Sequence, residues 1–190
     1  MKKLLPLIAA LALGACSSTE KTQSEPLAKN DSVPSWVLLP VSDKGLASSS
    51  CVPWSGSMST DRAQAIAAAR ADLSQQIQVK ASVMDKLYQR KAQSNDELNV
   101  GGTFEQVSKQ VAQQSLMGAV PQEVAFAKLD GVKQLCTFVV MSNTQETFNN
   151  LVAQSGKRLD PSSREALYEE FKAQKAMKDL EKELDSLNKQ

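Results

Sequence analysis

The sequence predicts an α+β domain: a long alanine-rich helix packed on a small, mostly antiparallel sheet, with an extra helix at the C-terminal end. Three stretches carry this reading. The run "STDRAQAIAAARADLSQQIQVKASVMDKLYQR" repeats apolar residues at helical spacing. Two alternating segments, Val124 to Leu129 and Val132 to Met141, flank Asp130-Gly131, a pair suited to a two-residue type I′ hairpin turn. The tail "DPSSREALYEEFKAQKAMKDLEKELDSLNKQ" carries its own cap and apolar stripe.

Each element has a local cause. Pro34 and Pro40 bracket Trp36, Val37, Leu38 and Leu39, and the prolines argue for an extended segment or edge strand with Trp36 on the core. A short strand is expected around Leu46–Val52. In the long helix Ser59 or Thr60 is the expected N-cap, with Asp61 favourable in the first turn. Ile66, Leu73, Ile77, Met84 and Leu87 form its apolar face, with Ala63 and Ala81 filling in. The alanines raise helix propensity and let the helix lie close to what it covers, while Val79, Ser82 and Val83 mark a place where it bends or ends early. After the polar break "KAQSNDELNVGG", Thr103 caps a second helix with Phe104, Val107, Val111 and Leu116 along one face.

In the hairpin, Val124, Phe126 and Lys128 point one way and Ala125, Ala127 and Leu129 the other. Cys136, Phe138 and Val140 share a face, which places Cys136 on a buried side of the return strand. Asn143 or Thr144 then caps a short helix, with Phe148, Leu151 and Val152 inward and Gly156 as its stop. The tail helix is capped by Asp160 or Ser162, with Pro161 in the first turn. Leu167, Phe171, Met177, Leu180, Leu184 and Leu187 make its stripe, which suits either a partner helix or packing on its own domain. As a partner-binding stripe it is dispensable for the core, so deleting residues 160–190 is expected to weaken association and leave the domain folded.

The first residues belong to no fold. Lys2 and Lys3 precede an apolar run, Leu4 to Leu13, that is too short for a bilayer core of about 30 Å and fits the h-region of a secretory signal. Leu13-Gly14-Ala15-Cys16 resembles the bacterial lipobox, in which the cysteine becomes the lipidated first residue of the mature protein. Residues 1–15 are then a signal peptide and Cys16 the lipidation site, acylated with palmitate-type chains. Ser17 stands where an aspartate would suggest inner-membrane retention, so the resemblance implies the outer membrane, with the domain facing the periplasm. Residues 16–33 are polar and rich in turn formers, a flexible tether with a span of about 20–25 Å. Residues 34–156 make the α+β domain and 157–190 the C-terminal amphipathic helix.

Composition excludes several functions. Removal of Lys2 and Lys3 leaves 20 basic against 21 acidic side chains, with no basic block to grip nucleic acid. The chain has no histidine, which removes the commonest general base and most zinc sites. Trp54-Ser55-Gly56-Ser57 lacks the glycines of a nucleophile elbow. Gly101-Gly102-Thr103 ahead of a helix suits an anion at the helix N-terminus or a plain linker and cap. No catalytic residue, metal site or cofactor is expected. Of the three cysteines, Cys51 and Cys136 remain as an even pair in an exported chain, suited to one disulfide or to two buried thiols.

Pro34-Ser35-Trp36-Val37, "ASSSCVPWSGSMSTDRAQAIAAARADLSQQI" and the strand around "LCTFVVM" together resemble the LPP-twenty family of bacterial outer-membrane lipoproteins, relatives of the flagellar proteins FlgP and the FlgT N-terminal domain. The resemblance covers roughly residues 34–142 and implies a helix-on-sheet domain, no active site, and a structural or assembly role in envelope or flagellar structures. The partners expected are the membrane, through Cys16, and either a second copy or an envelope protein complex. The alternative is a regulatory lipoprotein that activates a periplasmic cell-wall synthase or transport machine.

Overall fold

The computed structural model describes residues 33–94 and 101–174, with single positions at 179, 182 and 185–187 beyond them. In order the elements are α1 (Ser35–Leu38), β1 (Leu46–Pro53), α2 (Met58–Ser94), α3 (Phe104–Ser115), a 3-10 turn (Leu116–Gly118), β2 (Ala119–Leu129), β3 (Val132–Met141), α4 (Thr144–Ser155) and α5 (Pro161–Lys172). The class is α+β, and the sheet is antiparallel with strand order β1-β3-β2.

The spine is α2, which runs 37 residues without a break. The expected weak point at Val79, Ser82 and Val83 does not interrupt it. Val83 is fully buried and Ser82 Oγ donates back to Gln78 O, so packing overrides the low propensity of the segment. The buried stripe recurs at three and four residues: Ala65, Ala69, Leu73, Ile77, Ala81, Met84, Tyr88 and Ala92. It differs from the expected face at its first turns, where Ala65 and Ala69 are buried while Ala63 is exposed and Ile66 half-buried. The helix begins at Met58, ahead of the expected caps Ser59 and Thr60. Asp61 is buried in that first turn and accepts Ser55 N at 2.8 Å and Ser55 Oγ at 2.7 Å, closing the turn between β1 and α2.

The N-terminal half of α2 lies on the sheet. Arg70 Nη2 donates to Ala119 O at 2.8 Å, Ser48 Oγ to Asp72 at 3.3 Å, and Gln76 Nε2 to Ala47 O at 3.2 Å. Beyond these residues the helix outruns the strands and is covered by α3 and α5, with α4 packed behind. One core cluster runs through both halves, from Leu46, Val139 and Met141 of the sheet to Phe104, Val111, Phe148, Leu151, Leu167 and Phe171 of the helices. Gly45 admits the chain into β1 at φ 153°, where a Cβ would collide with Met141 O.

The hairpin turn has φ 51° at Asp130 and 78° at Gly131, both positive as type I′ requires. β2 starts earlier than the alternation alone suggested, at Ala119, and passes through Pro121 to a bulge between Pro121 and Glu123. A proline survives there because its missing N–H faces away from the sheet. Trp54 N donates to Lys133 O at 3.0 Å, which fixes the alternation. Ser48, Ser50 and Val52 bond to β3, while Ala47, Ser49, Cys51 and Pro53 turn their backbone groups outward. By the same count Pro121, Val124, Phe126 and Lys128 turn theirs outward on β2.

The extended segment expected between Pro34 and Pro40 is instead one helical turn, with Val37 N bonded to Pro34 O and Leu39 N to Ser35 O, both at 2.9 Å. Pro34 precedes the first turn, where a proline removes no helical hydrogen bond. Trp36 packs on Phe138 at 5.8 Å, beside Ala47 and Val140, on the sheet face opposite α2. At the other end the expected single tail helix stops at Lys172, and Ala173 and Gln174 are non-helical. Its cap is Asp160, which accepts Ser163 N, with Pro161 at the first helical position. Gly156 ends α4 in the left-handed region at φ 68°, while Asn143 precedes α4 without a side-chain cap.

Close approach of α2 to the sheet depends on small side chains at Ala65 and Ala69. Ala69→Leu is expected to destabilise the domain by about 1–3 kcal/mol through overpacking. Ala67→Leu, on the exposed side of the same turn, should stay within about 0.5 kcal/mol. Urea unfolding followed by circular dichroism reads both.

Candidate functional site

Cys51 and Cys136 are directly opposite one another on β1 and β3 and form a disulfide, with a Cα–Cα distance of 4.0 Å. Their register makes them a non-hydrogen-bonded pair, the closer of the two antiparallel pairings. Cys136 is fully buried and Cys51 half-buried, on the face away from α2 and in the same row as Ala47, Phe138 and Val140. The bond staples edge strand β1 to the central strand. Cys16 lies outside the described residues.

The C-terminal stripe is divided. Leu167 and Phe171 are buried in the domain's own core, where Phe171 meets Phe148 at 5.9 Å, so neither is available to a partner. Lys80, buried on α2, donates its ammonium to Ala173 O and holds the end of α5. Deletion of residues 160–190 would therefore open the core, contrary to the expectation that the domain survives it. Met177, Leu180 and Leu184 lie outside the described residues, and Leu187 is half-buried. A stripe of these residue types reads the same whether its cover is a partner helix or the chain's own core.

The N-terminus of α3 does meet an anion, and the anion is the protein's own. Asp85 of α2 accepts Phe104 N at 3.0 Å and Glu105 N at 2.9 Å. Thr103 and Gln106 complete a capping box, and Gly102 N donates to Ser155 O at 2.7 Å. The donors that an external anion would need are thus occupied. Lys157 reaches Asp85 at 3.7 Å with both side chains buried, and its ammonium sits 4.3 Å from the Tyr88 ring centroid. Burial pushes the Asp85 carboxyl above its usual range, opposed by the two backbone donors and by Lys157. Sequence reading passed over Asp85, whose only signal is an acid on the buried side of a helix.

Among the described residues no group of three or more Cys, Asp or Glu side chains is placed to hold a metal. Ser55 Oγ, from the segment considered for a nucleophile, donates to Asp61. Two open surfaces carry exposed apolar side chains. Leu38, Leu39 and Val41 are exposed beside α1, where they line a groove of about 320 Å³ against Ser49, Asp72 and Gln76. On the hairpin, Phe126 is 41 % and Val124 39 % exposed. Phe126 stands edge-on to Trp54 at 4.9 Å, with the Lys133 ammonium 4.1 Å from its ring centroid.

No family model matches the chain. No curated protein and no solved structure matches it either.

Removing the disulfide by Cys51→Ser with Cys136→Ser is expected to lower stability by about 4–5 kcal/mol, the chain-entropy value for a long closed loop; the shift of the urea midpoint with and without reductant measures it. Asp85→Ala strands a buried lysine and two helix donors, and should cost about 3–5 kcal/mol. Asp85 binds its proton more tightly folded than unfolded, so its contribution to stability falls as pH rises from about 3.9 through its folded value. A pH series of unfolding curves should show that slope in the native protein and lose it in Asp85→Asn.

Proposed function

We propose that this protein is an outer-membrane-anchored lipoprotein whose α+β domain, held on the periplasmic side, has a structural or assembly role in the envelope and performs no catalysis. The observation that carries the reading is Cys16 at the end of Leu13-Gly14-Ala15-Cys16, behind a basic start and a short apolar run. The disulfide supports it. With Cys51 and Cys136 bonded to each other, Cys16 is left outside the disulfide. A disulfide is also the chemistry of an exported compartment. No described helix is long and apolar enough to cross a membrane, so a lipid on Cys16 would supply the attachment. Several acyl chains make a stable anchor where one chain holds only marginally.

The assembly role rests on what the domain offers. Its buried polar clusters, Asp61 with Ser55 and Asp85 with Lys157, are tied to the backbone and to each other, and it exposes apolar side chains on the hairpin and along the α1 groove. The resemblance to the LPP-twenty family points the same way and adds a link to flagellar or general envelope structures.

Fractionation of cells expressing the full chain tests the anchor. The native protein should float with outer-membrane vesicles and incorporate labelled palmitate. Cys16→Ser should incorporate none and leave the outer-membrane fraction. Unchanged partitioning of Cys16→Ser would overturn the reading.

A further inference from the structure

We infer that two copies of this chain pair through the outer edge of β2, antiparallel, with Ala125 opposite its counterpart, to form a continuous six-stranded sheet. The inference deepens the proposed assembly role by naming the partner as a second copy and the contact as a strand edge.

A three-stranded sheet has two edges, and here they differ. On β1 the edge is blunted and partly covered. Ala47 O accepts Gln76, Pro53 has no N–H, and the α1 turn packs against the strand, tied to it by the Ser49 hydroxyl, which donates to Val37 O. On β2 the outward N–H and C=O groups of Val124, Phe126 and Lys128 meet no hydrogen-bond partner among the described residues. α2 crosses the sheet mainly over β1 and β3, so it leaves this edge accessible.

Natural edges are usually blunted along their length by proline, bulges or lysine. β2 carries all three, but only at the ends of a short window. Pro121 and the bulge close one end, and Lys128 closes the other. Between them lies Glu123-Val124-Ala125-Phe126-Ala127, which has no blocking residue. The outward groups are at Val124 and Phe126, so a second strand can bond only where those positions face one another. Antiparallel pairing about Ala125 does this. Val124 meets the partner copy's Phe126 and Phe126 the partner copy's Val124, each pair exchanging two hydrogen bonds. The exposed apolar side chains then form two cross-strand pairs of the aromatic–β-branched kind.

Charge favours the same arrangement. The window is acidic at Glu123 and basic just beyond its other end at Lys128. Antiparallel self-pairing brings the acidic end to the basic end of the second copy, and Lys128 falls opposite neutral Gln122. A parallel pairing would set lysine beside lysine. The two-fold axis stands perpendicular to the sheet, so both α2 helices lie on one side. Five residues of pairing give modest affinity alone, but anchoring two copies in one membrane raises their effective concentration.

The test uses the full chain, purified in detergent and, separately, as Cys16→Ser. Sedimentation velocity should show twice the protomer mass in both forms. Val124→Pro deletes an outward N–H and leaves β2's own bonds to β3 intact; it should return the protein to a monomer with an unchanged circular dichroism spectrum. Phe126→Glu should do the same. Two tagged copies carrying Val124→Cys and Phe126→Cys should crosslink with each other on oxidation in preference to like with like. A monomer at all concentrations, a dimer that survives both Val124→Pro and Phe126→Glu, or indifferent crosslinking would overturn the pairing. Dimerisation of Cys16→Ser is read independently of palmitate labelling, so failure of the anchor and failure of the interface give different results.

Discussion

A helix of 37 residues is about 55 Å long, and strands of eight to eleven residues reach only about 26–37 Å. α2 carries one continuous buried stripe, from Ala65 to Ala92, and the sheet can cover only its first half. The rest of the molecule follows from that mismatch. Burying Leu73, Ile77 and Met84 is worth about 1.5–3 kcal/mol each, so the overhanging half needs its own cover. α3 and α5 supply it, and α4 fills the space behind them. The two halves use different side chains because the covers differ. Alanines let a helix approach a sheet closely, whereas the gap between helices is filled by Ile77, Met84, Tyr88, Phe104 and Phe171.

The helical half is held in register by charge as well as by packing. Asp85 leaves α2 to cap α3, and Lys157, from the segment after α4, closes on Asp85. Three separate stretches of chain are therefore joined at one carboxylate. Such a pair adds little to net stability, because removing both charges from water costs about as much as their attraction returns. Its effect is on specificity: a shifted α3 would leave a buried carboxylate, a buried ammonium and two backbone donors without partners.

The sheet is asymmetric. One face is covered by α2, the other by the α1 turn and Trp36, with the disulfide beneath. The staple joins an edge strand to the central strand at the point where β1 would otherwise have only backbone bonds on one side. Both strand prolines, Pro53 and Pro121, sit where the missing N–H faces outward, so each shapes an edge without weakening the ladder. What the molecule offers outward is consequently decided by its edges and by the exposed residues of the hairpin.

Local rules determined much of this protein. The Asp-Gly turn, the Thr103 cap, the Gly156 stop, the Pro161 start and the alternation that buries Cys136 are all legible, because each depends on residues within one turn or one strand pair. The α+β class follows from two periodicities. The lipobox-like stretch is legible for the same reason: it is a pattern of adjacent residues. Tertiary structure alone decided four things. It carried α2 through Val79 and Val83, because buried contacts outweigh a few tenths of a kcal/mol of propensity per residue. It wound Trp36 into a helical turn instead of a strand. It turned Leu167 and Phe171 inward, since a stripe of leucine and phenylalanine is the same whether its cover is another molecule or the rest of the chain. And it brought Asp85 to a helix start 19 residues away, a pairing invisible until the intervening chain folds back.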